Sequence, residues 1–228
     1  MSIKAFSLLK EAEVVVGYKT YIKLIESILS PEQKTVSTGM GKELERAKKA
    51  INLALEGKKV AVVSSGDPGV YGMAGLVLEL AVKKEDKLEV EIVPGVTAAN
   101  AGASLLGAPL MHDYAVISLS DLLTPWEQIK KRLTRAAQAD FITVLYNPKS
   151  KGRTEQIKKA REIFLKHRSG DTPVGIVRAV SRKGEEVVKT NLEEMLNHKI
   201  DMLSTVIIGN STTYQEEEFM ITPRGYKL

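Results

Sequence analysis

Short runs of β-branched residues alternate along the chain with segments in which apolar side chains recur every three or four positions. Runs of the first kind predict strands at residues 13–16, 34–38, 59–64, 88–93, 114–118, 141–146, 173–177 and 205–208. Segments of the second kind predict helices, one with Leu44, Ala47, Ile51 and Ala54 on a single face and another with Ile157, Ala160, Phe164 and His167. Alternating strands and helices indicate an α/β chain.

Two of these strands, 60–63 and 205–208, are apolar without alternation, which favours parallel strands covered by helices on both faces. A different pattern follows residue 173, where 174–178, a turn at 182–184 and 186–190 predict a hairpin. The second half should therefore carry a mixed sheet. Breakers cluster in residues 107–113, so we predict two α/β domains, 1–110 and 111–228.

Composition removes several classes of function. The 228 residues are 43% hydrophobic and 27% charged, which is typical of a globular protein with one large or two small domains. Cysteine is absent, which excludes disulfides and thiolate sites, and three histidines without zinc spacing give no reason to expect a metal. The apolar runs are too short to cross a bilayer. We expect a cytoplasmic protein with no membrane partner.

Positive charge is concentrated in residues 149–183, where eleven basic and three acidic side chains leave an excess of eight, against +5 for the whole chain. Such a segment suits an anionic partner, either a nucleic acid or an acidic small molecule. A solvated helix face explains the charge equally well.

Three turn-rich loops follow predicted strands, where open α/β sheets bind ligands. In residues 64–72, glycines let a ligand approach the backbone, and Asp67 either anchors a polar ligand or caps a helix. In residues 93–100, Thr97 either caps a helix or binds a carboxylate. In residues 145–153, the cations Lys149, Lys151 and Arg153 either bind carboxylates or remain solvated. The first of these loops matches neither Gly-x-x-x-x-Gly-Lys-Ser/Thr nor Gly-x-Gly-x-x-Gly, which counts against phosphate cradling and dinucleotide binding.

Taken together, these loops resemble the tetrapyrrole methyltransferase family, whose members use S-adenosylmethionine to methylate corrin precursors. The resemblance rests on Gly66-Asp-Pro-Gly-Val-Tyr-Gly72, Pro94-Gly-Val-Thr-Ala98 and Val206-Ile-Ile-Gly209. Within the family the chain is most similar to the subgroup that methylates C17 of precorrin-3B or cobalt-precorrin-3B with ring contraction. That similarity rests on Val16-Gly-Tyr-Lys-Thr-Tyr21, Ser118-Leu-Ser-Asp-Leu-Leu-Thr-Pro-Trp126, Tyr146-Asn-Pro-Lys-Ser-Lys-Gly-Arg153, Ile207-Ile-Gly-Asn-Ser211 and Thr222-Pro-Arg-Gly-Tyr226.

The resemblance implies two α/β domains with the cofactor in the cleft between them, a homodimer, and a tetrapyrrole substrate edged with acetate and propionate groups. It assigns cofactor contacts to Ser65, Gly66, Asp67, Val70, Tyr71, Thr97, Ala98, Asn147, Val180, Ser204 and Thr205. The acidic substrate makes carboxylate partners of Lys149, Lys151, Arg153, Arg178 and Arg182. Ring contraction requires proton transfer, for which the candidates are Asp121, Ser118 and His112.

One departure from the family lies at the start of the sequence. Family members begin with a strand that ends in Gly-x-Gly-Pro-Gly, whereas this sequence opens at a predicted helix over residues 3–12. Because that first strand is missing, we expect a neighbouring strand edge to be exposed unless another segment or chain covers it.

Two alternatives stay open at this point. One is a methyltransferase of the same fold that acts on another corrin-precursor carbon or on ribosomal RNA, although 5% aromatic residues offer few platforms for stacking bases. The other is a non-catalytic nucleic-acid-binding module that uses the basic segment alone. We expect no nucleic acid partner, because that module leaves the glycine-rich loops without a role.

Overall fold

A computed structural model describes residues 1–85 and 87–227. The chain divides into two compact units, Met1–Thr97 and Ala98–Leu228, which we call the first and second units. The boundary predicted after residue 110 falls inside the second unit, because residues 98–106 form a helix that packs on the sheet of that unit.

The first unit is built on a small parallel sheet with strand order β2-β1-β3. Val14, Val15 and Val16 of the central strand are almost completely buried, and they contribute to two separate apolar clusters, one on each face. This pattern is typical of a parallel strand with helices on both sides. The elements are α1 (Ile3–Glu11), β1 (Val14–Tyr18), α2 (Lys19–Ile25), a 3-10 turn (Glu26–Ile28), β2 (Lys34–Thr38), α3 (Glu43–Leu55), β3 (Val60–Val63) and α4 (Ala74–Ala81).

The predicted helices of this unit form with small differences. The Ser2 hydroxyl accepts a hydrogen bond from the Ala5 amide and caps α1. On α3 the buried stripe is Arg46, Ala47, Ala50 and Ile51, whereas Leu44 is half exposed. The buried face of α3 is therefore rotated by part of a turn from the predicted one. Arg46 is buried, whereas the periodicity of apolar residues predicted that Leu44 would be.

The strand predicted at residues 88–93 is wrong: that segment carries no regular secondary structure. Within the described residues, its backbone makes no hydrogen bond to a neighbouring strand. Strand β3 forms the edge of the sheet, and a cavity of about 860 Å³ is lined by Val60–Val63 and by residues 88–96. A strand exists only through hydrogen bonds to a partner, so β-branched residues facing this cavity stay unpaired.

The second unit contains a larger mixed sheet of five strands, order β5-β6-β9-β7-β8, and a small sheet of order β10-β11-β4. The predicted hairpin is confirmed, since β7 and β8 pair antiparallel. The elements are α5 (Ala98–Leu106), β4 (Gly107–Ala108), β5 (Tyr114–Ser118), α6 (Trp126–Gln138), β6 (Ile142–Tyr146), α7 (Glu155–Leu165), β7 (Pro173–Arg178), β8 (Glu186–Asn191), a 3-10 turn (Met195–Asn197), β9 (Ser204–Ile208), β10 (Tyr214–Glu216) and β11 (Phe219–Ile221).

Strand β9 corrects one prediction. It is antiparallel to both β6 and β7, not parallel as its apolar run suggested. All of its residues are buried, with Val206 and Ile208 in one apolar cluster and Ile207 in another. Polar residues do not alternate along β9 because both of its faces are covered, whatever its direction relative to the neighbouring strands.

Helix α5 lies on this sheet through a contact that leaves no spare space. The Leu106 side chain sits directly over Gly175 of β7, so closely that a Cβ atom at position 175 would overlap it. Leu106 is fully buried. The missing side chain of Gly175 therefore sets the height of α5 above the sheet. No helix within the described ranges is long and apolar enough to span a membrane.

Candidate functional site

In the first unit, the Asp67 carboxylate joins the two glycine-rich loops. Its Oδ1 atom accepts a hydrogen bond from the Gly69 amide at 2.8 Å, and its Oδ2 atom accepts one from the Gly95 amide at 2.9 Å. The bond from Gly95 spans 28 positions of sequence, so it is a tertiary tie and not only a local cap. Asp67 thus fixes the position of one loop against the other.

These hydrogen bonds also set the charge of Asp67. The Gly95 amide and then the Gly69 amide lower the pKa of the carboxyl below its ordinary value of 3.8. Backbone N–H donors favour the ionised form, because they bond to the negative oxygen atoms. Asp67 is therefore a carboxylate throughout the neutral range, and it places a negative charge next to the loops.

The two loops approach each other so closely that glycine is required at position 95. A Cβ atom there would collide with the Gly66 carbonyl oxygen. Tyr71, in the first loop, has a left-handed backbone with φ of 54°, which is strained for a residue other than glycine. The neighbouring apolar side chains are exposed, Val70 at 36%, Tyr71 at 60% and Val96 at 57%. Close backbone, strain and exposed apolar side chains together are typical of a ligand-binding loop.

The first residues of α4 are less available to a ligand than the sequence suggested. The Met73 amide donates to the Ser64 hydroxyl at 3.1 Å, and the Ala74 amide donates to the Pro68 carbonyl at 3.0 Å. Two donors at this helix start are already used by the loop itself. The loop, with Ser65 and Gly66 exposed at its tip, is the better candidate for ligand contact.

In the second unit, Ser118 and Asn147 meet at the ends of the neighbouring strands β5 and β6. The Asn147 side-chain amide donates to the Ser118 hydroxyl at 3.0 Å, and the Ser120 amide donates to the same oxygen at 3.2 Å. Asn147 has a left-handed φ of 49°, a conformation that asparagine tolerates better than most residues. The structure therefore brings together one predicted cofactor residue and one predicted catalytic residue.

The loop after Asn147 is held by Arg153. One guanidinium nitrogen donates to the Asn147 carbonyl at 2.7 Å, and the backbones of Ser150 and Arg153 bond to each other. Asp121, exposed on the loop after β5, accepts a hydrogen bond from the Gln156 side-chain amide at 2.7 Å. Sequence reasoning missed Gln156, since a lone glutamine at the start of a helix carries no motif.

The remaining predicted cofactor residues of the second unit lie in two places. Ala98 begins α5, whose second amide, that of Ala99, donates to the Tyr146 hydroxyl at 2.8 Å. Ser204 and Thr205 are buried at the start of β9, and the Ser204 hydroxyl bonds to Asp201. Val180 is half-buried in the turn after β7, next to Ala179, which has a left-handed φ of 51°.

Much of the basic segment is committed to structure. Arg178 donates to Asp201 at 2.8 Å and lies 3.7 Å from Glu186, and its pKa is raised by the Asp201 hydrogen bond. Arg168 is buried and donates to the carbonyls of Phe141 and Gly209. These contacts explain part of the excess charge without a ligand. Of the other predicted carboxylate partners, Lys149, Arg153 and Arg182 are half-buried and Lys151 is exposed.

His112 stands apart from the other catalytic candidates. It is exposed in the turn between β4 and β5, and none of the hydrogen bonds found in the described part of the chain connects it to Ser118 or Asp121. No cluster of three or more metal-binding side chains occurs in the same residues.

The residues around the first loops fit S-adenosylmethionine. Its adenosine part and its methylene groups suit the exposed apolar side chains of Val70, Tyr71 and Val96, and its sulfonium and ammonium groups suit the negative charge of an ionised Asp67. Ser65 and Gly66 are exposed in the first loop, so backbone there is accessible to a ligand. The donor set of the loops is therefore compatible with that cofactor.

Comparison with known proteins agrees with this geometry. Residues 1–196 match the family model of Tetrapyrrole (Corrin/Porphyrin) Methylases. The chain is 55% identical to Cobalt-factor III methyltransferase of Priestia megaterium over 98% of its length, which is 42% of that relative. It is 51% identical to Probable cobalt-factor III C(17)-methyltransferase of Salmonella typhimurium over 100% of its length, which is 94% of that relative.

Two solved structures are also similar. The methyltransferase CobJ has a TM-score of 0.90 and 36% identity, with 98% of this chain and 93% of that chain covered. Uroporphyrin-III C-methyl transferase from Thermus thermophilus, solved with S-adenosyl homocysteine, has a TM-score of 0.72 and 25% identity, with 92% of this chain and 90% of that chain covered. From the family match over most of its length and these relatives, the chain belongs to the tetrapyrrole (corrin/porphyrin) methylase family.

Proposed function

We propose that this chain is an S-adenosylmethionine-dependent C-methyltransferase of cobalamin biosynthesis that methylates C17 of a corrin precursor, precorrin-3B or its cobalt-containing form, with ring contraction. The observation that carries the proposal is the similarity over the whole chain to relatives named for methylation of cobalt-factor III. The chain spans less than half of one of these relatives and nearly all of the other.

The cofactor supplies an electrophilic methyl group, so the task of the protein is to position the reactants and to exclude water. In the first unit, Ser65, Gly66, Asp67, Val70, Tyr71 and Thr97 are the proposed contacts. Asp67 acts mainly by holding the two loops together, as its hydrogen bonds to Gly69 and Gly95 support. In the second unit the proposed contacts are Ala98, Asn147, Val180, Ser204 and Thr205.

Proton transfer to or from the substrate is assigned to the loop that carries Ser118 and Asp121. Ser118 accepts hydrogen bonds from Asn147 and Ser120, which fix the position of its hydroxyl oxygen at the end of β5. Asp121 is exposed and is hydrogen-bonded through one oxygen to Gln156. His112 is the third candidate, by its place before β5. A homodimer and a cytoplasmic location stay predictions.

The direct test uses S-adenosylmethionine with a ¹³C-labelled methyl group. The protein is incubated with metal-free precorrin-3B and with the cobalt-containing precursor, and the products are analysed by mass and absorption spectra. We expect one labelled methyl group on C17 of one or both substrates, and a changed absorption spectrum if the ring contracts. Label on ribosomal RNA, or on a different carbon, would contradict the proposal.

The cofactor residues are tested separately by calorimetry. Asp67→Ala and Thr97→Ala should each weaken S-adenosylmethionine binding, because the first releases the loop tie and the second removes a proposed contact. Glu79→Ala, which changes an exposed residue of α4, serves as the matched control. Unchanged affinity in both loop variants would contradict the assignment.

A further inference from the structure

Two segments of the second unit have the sequence Arg-x-x-Gln, and the structure uses them differently. On α6, Arg135 donates to the Gln138 side-chain oxygen at 2.9 Å. Arg153 and Gln156, at the start of α7, have the same spacing, but Gln156 donates to Asp121. In the second pair, Gln156 bonds to Asp121, which is 35 positions away in sequence, and not to Arg153.

One side-chain atom of Arg153 and one of Gln156 have no hydrogen-bond partner in the described part of the chain. Three buried side-chain atoms in the described ranges make no hydrogen bond, and two of them are Arg153 Nε and Gln156 Oε1. The third, Arg168 Nε, lies 3.6 Å from the Asp140 carboxylate. Buried donors and acceptors normally find partners, so two neighbouring exceptions mark a place where the chain itself does not supply one.

The orientation of Gln156 follows from chemistry. Its amide nitrogen must face the Asp121 carboxylate, because the opposite orientation would place two acceptor oxygens against each other. One carboxylate oxygen of Asp121, Oδ2, is therefore bonded to an uncharged amide.

Arg153 keeps its positive charge without an ion pair in the described part of the chain. Burial lowers its pKa, and the charge of Asp121 raises it in part. A half-buried guanidinium without a close carboxylate is unfavourable in isolation, and an anionic ligand group compensates that cost. Arginine presents its donors in a planar fork that matches a carboxylate.

We infer that Gln156 is a positioning residue that holds Asp121 away from Arg153, so that the Arg153 guanidinium stays available to bind a carboxylate side chain of the tetrapyrrole substrate. The inference rests on the proposed function for the class of substrate.

The test measures binding and not methyl transfer. Uroporphyrin III, whose pyrrole rings carry acetate and propionate groups, is titrated against the full chain and followed by its absorption and fluorescence. Gln156→Ala should weaken binding about tenfold, because Asp121 becomes free to pair with Arg153. The double variant Asp121→Asn with Gln156→Ala should recover the affinity of Asp121→Asn alone, since no carboxylate remains to compete.

Two further variants complete the cycle. Arg153→Ala should weaken binding, and adding Gln156→Ala to it should change nothing more, because the two residues act through one contact. Gln138→Ala is the matched control on α6 and should bind uroporphyrin as the wild type does. Circular dichroism of each variant identifies loss of folding, and Gln156→Met keeps the side-chain volume if the alanine variant is unstable.

Several results would overturn the inference: unchanged affinity in folded Gln156→Ala or Gln156→Met, no recovery in the double variant, or no uroporphyrin binding by the wild type. Failure of the proposed function looks different. In that case Arg153 and Gln156 still control uroporphyrin binding, but no labelled methyl group reaches a corrin precursor.

Discussion

The two units bury their sheets in different ways. In the second unit, every residue of β9 is buried, and strands lie on both of its sides. In the first unit, β3 has a strand on one side and a cavity of about 860 Å³ next to it, and all four of its residues are only half-buried. The two strands have similar apolar sequences, so the difference arises from their neighbours and not from their own residues.

Hydrogen exchange should reveal the largest contrast. Amides in residues 88–93 have no backbone partner within the described residues and should exchange with an opening free energy near ~0 kcal/mol. Amides of β6 and β9 should approach the global value, roughly 5–15 kcal/mol. Mass spectrometry of peptides from the full chain checks this. Equal protection in the two regions would break the comparison, because it would mean that residues 88–93 are paired in solution.

Matched leucines test the packing itself. Leu133 is completely buried in the large cluster of the second unit, whereas Leu9 is 5% exposed and lines the cavity of the first unit. Leu133→Ala should lower the free energy of unfolding by an amount toward the upper end of about 2–5 kcal/mol. Leu9→Ala should lower it by an amount toward the lower end, since Leu9 borders a cavity and so has fewer packing contacts to lose. Urea unfolding followed by circular dichroism measures both. A larger loss for Leu9 would contradict the contrast.

The Asp67 tie should give a smaller effect, confined to the first unit. Because its folded pKa is lowered, the stabilisation is fully present above the ordinary value of 3.8 and is lost as pH falls through the lower folded value. Exchange protection of residues 64–72 should therefore stay constant from pH 8 to about pH 5, apart from the intrinsic exchange rate. Asp67→Asn should reduce this protection at neutral pH. A decline near pH 6 in the wild type would show that another group controls the loops.

Surface ion pairs should not distinguish the units at all. Lys49 and Glu45 of the first unit lie 2.8 Å apart, as do Lys158 and Glu155 of the second, and all four side chains are about half exposed. Glu45→Ala and Glu155→Ala should each change the free energy of unfolding by less than about 0.5 kcal/mol. A larger loss in only one of them would locate a stability difference outside the cores.

Local patterns predicted much of this structure. The hairpin of β7 and β8 forms around the turn at residues 182–184, and β2 and β5 have the predicted bounds, because these features depend on residues close in sequence. The strand at residues 88–93 could not be judged from its own residues, since its pairing depends on what lies across the cavity.

The candidate site divides in the same manner. The glycine-rich loops and Asn147 could be identified from motifs, and Asp67 was identified although its tie to Gly95 was not. The contacts of Arg178 with Asp201 and of Gln156 with Asp121 join residues far apart in sequence. Composition therefore could not reveal that Arg178 has a carboxylate partner whereas Arg153 has no ion pair in the described residues. Those pairings arise only when the chain folds.

Gly175 lies in the middle of a buried strand and carries no functional group, yet it fixes the position of a helix that holds a proposed cofactor contact. The Leu106 side chain rests on it, and the other end of the same rigid helix carries Ala98 and the Ala99 amide bonded to Tyr146. A methyl group added at position 175 would push the Leu106 end of α5 away from the sheet, and the helix would tilt. A substitution at position 175 should therefore disturb the proposed cofactor contact at Ala98, although residue 175 is not itself a proposed contact.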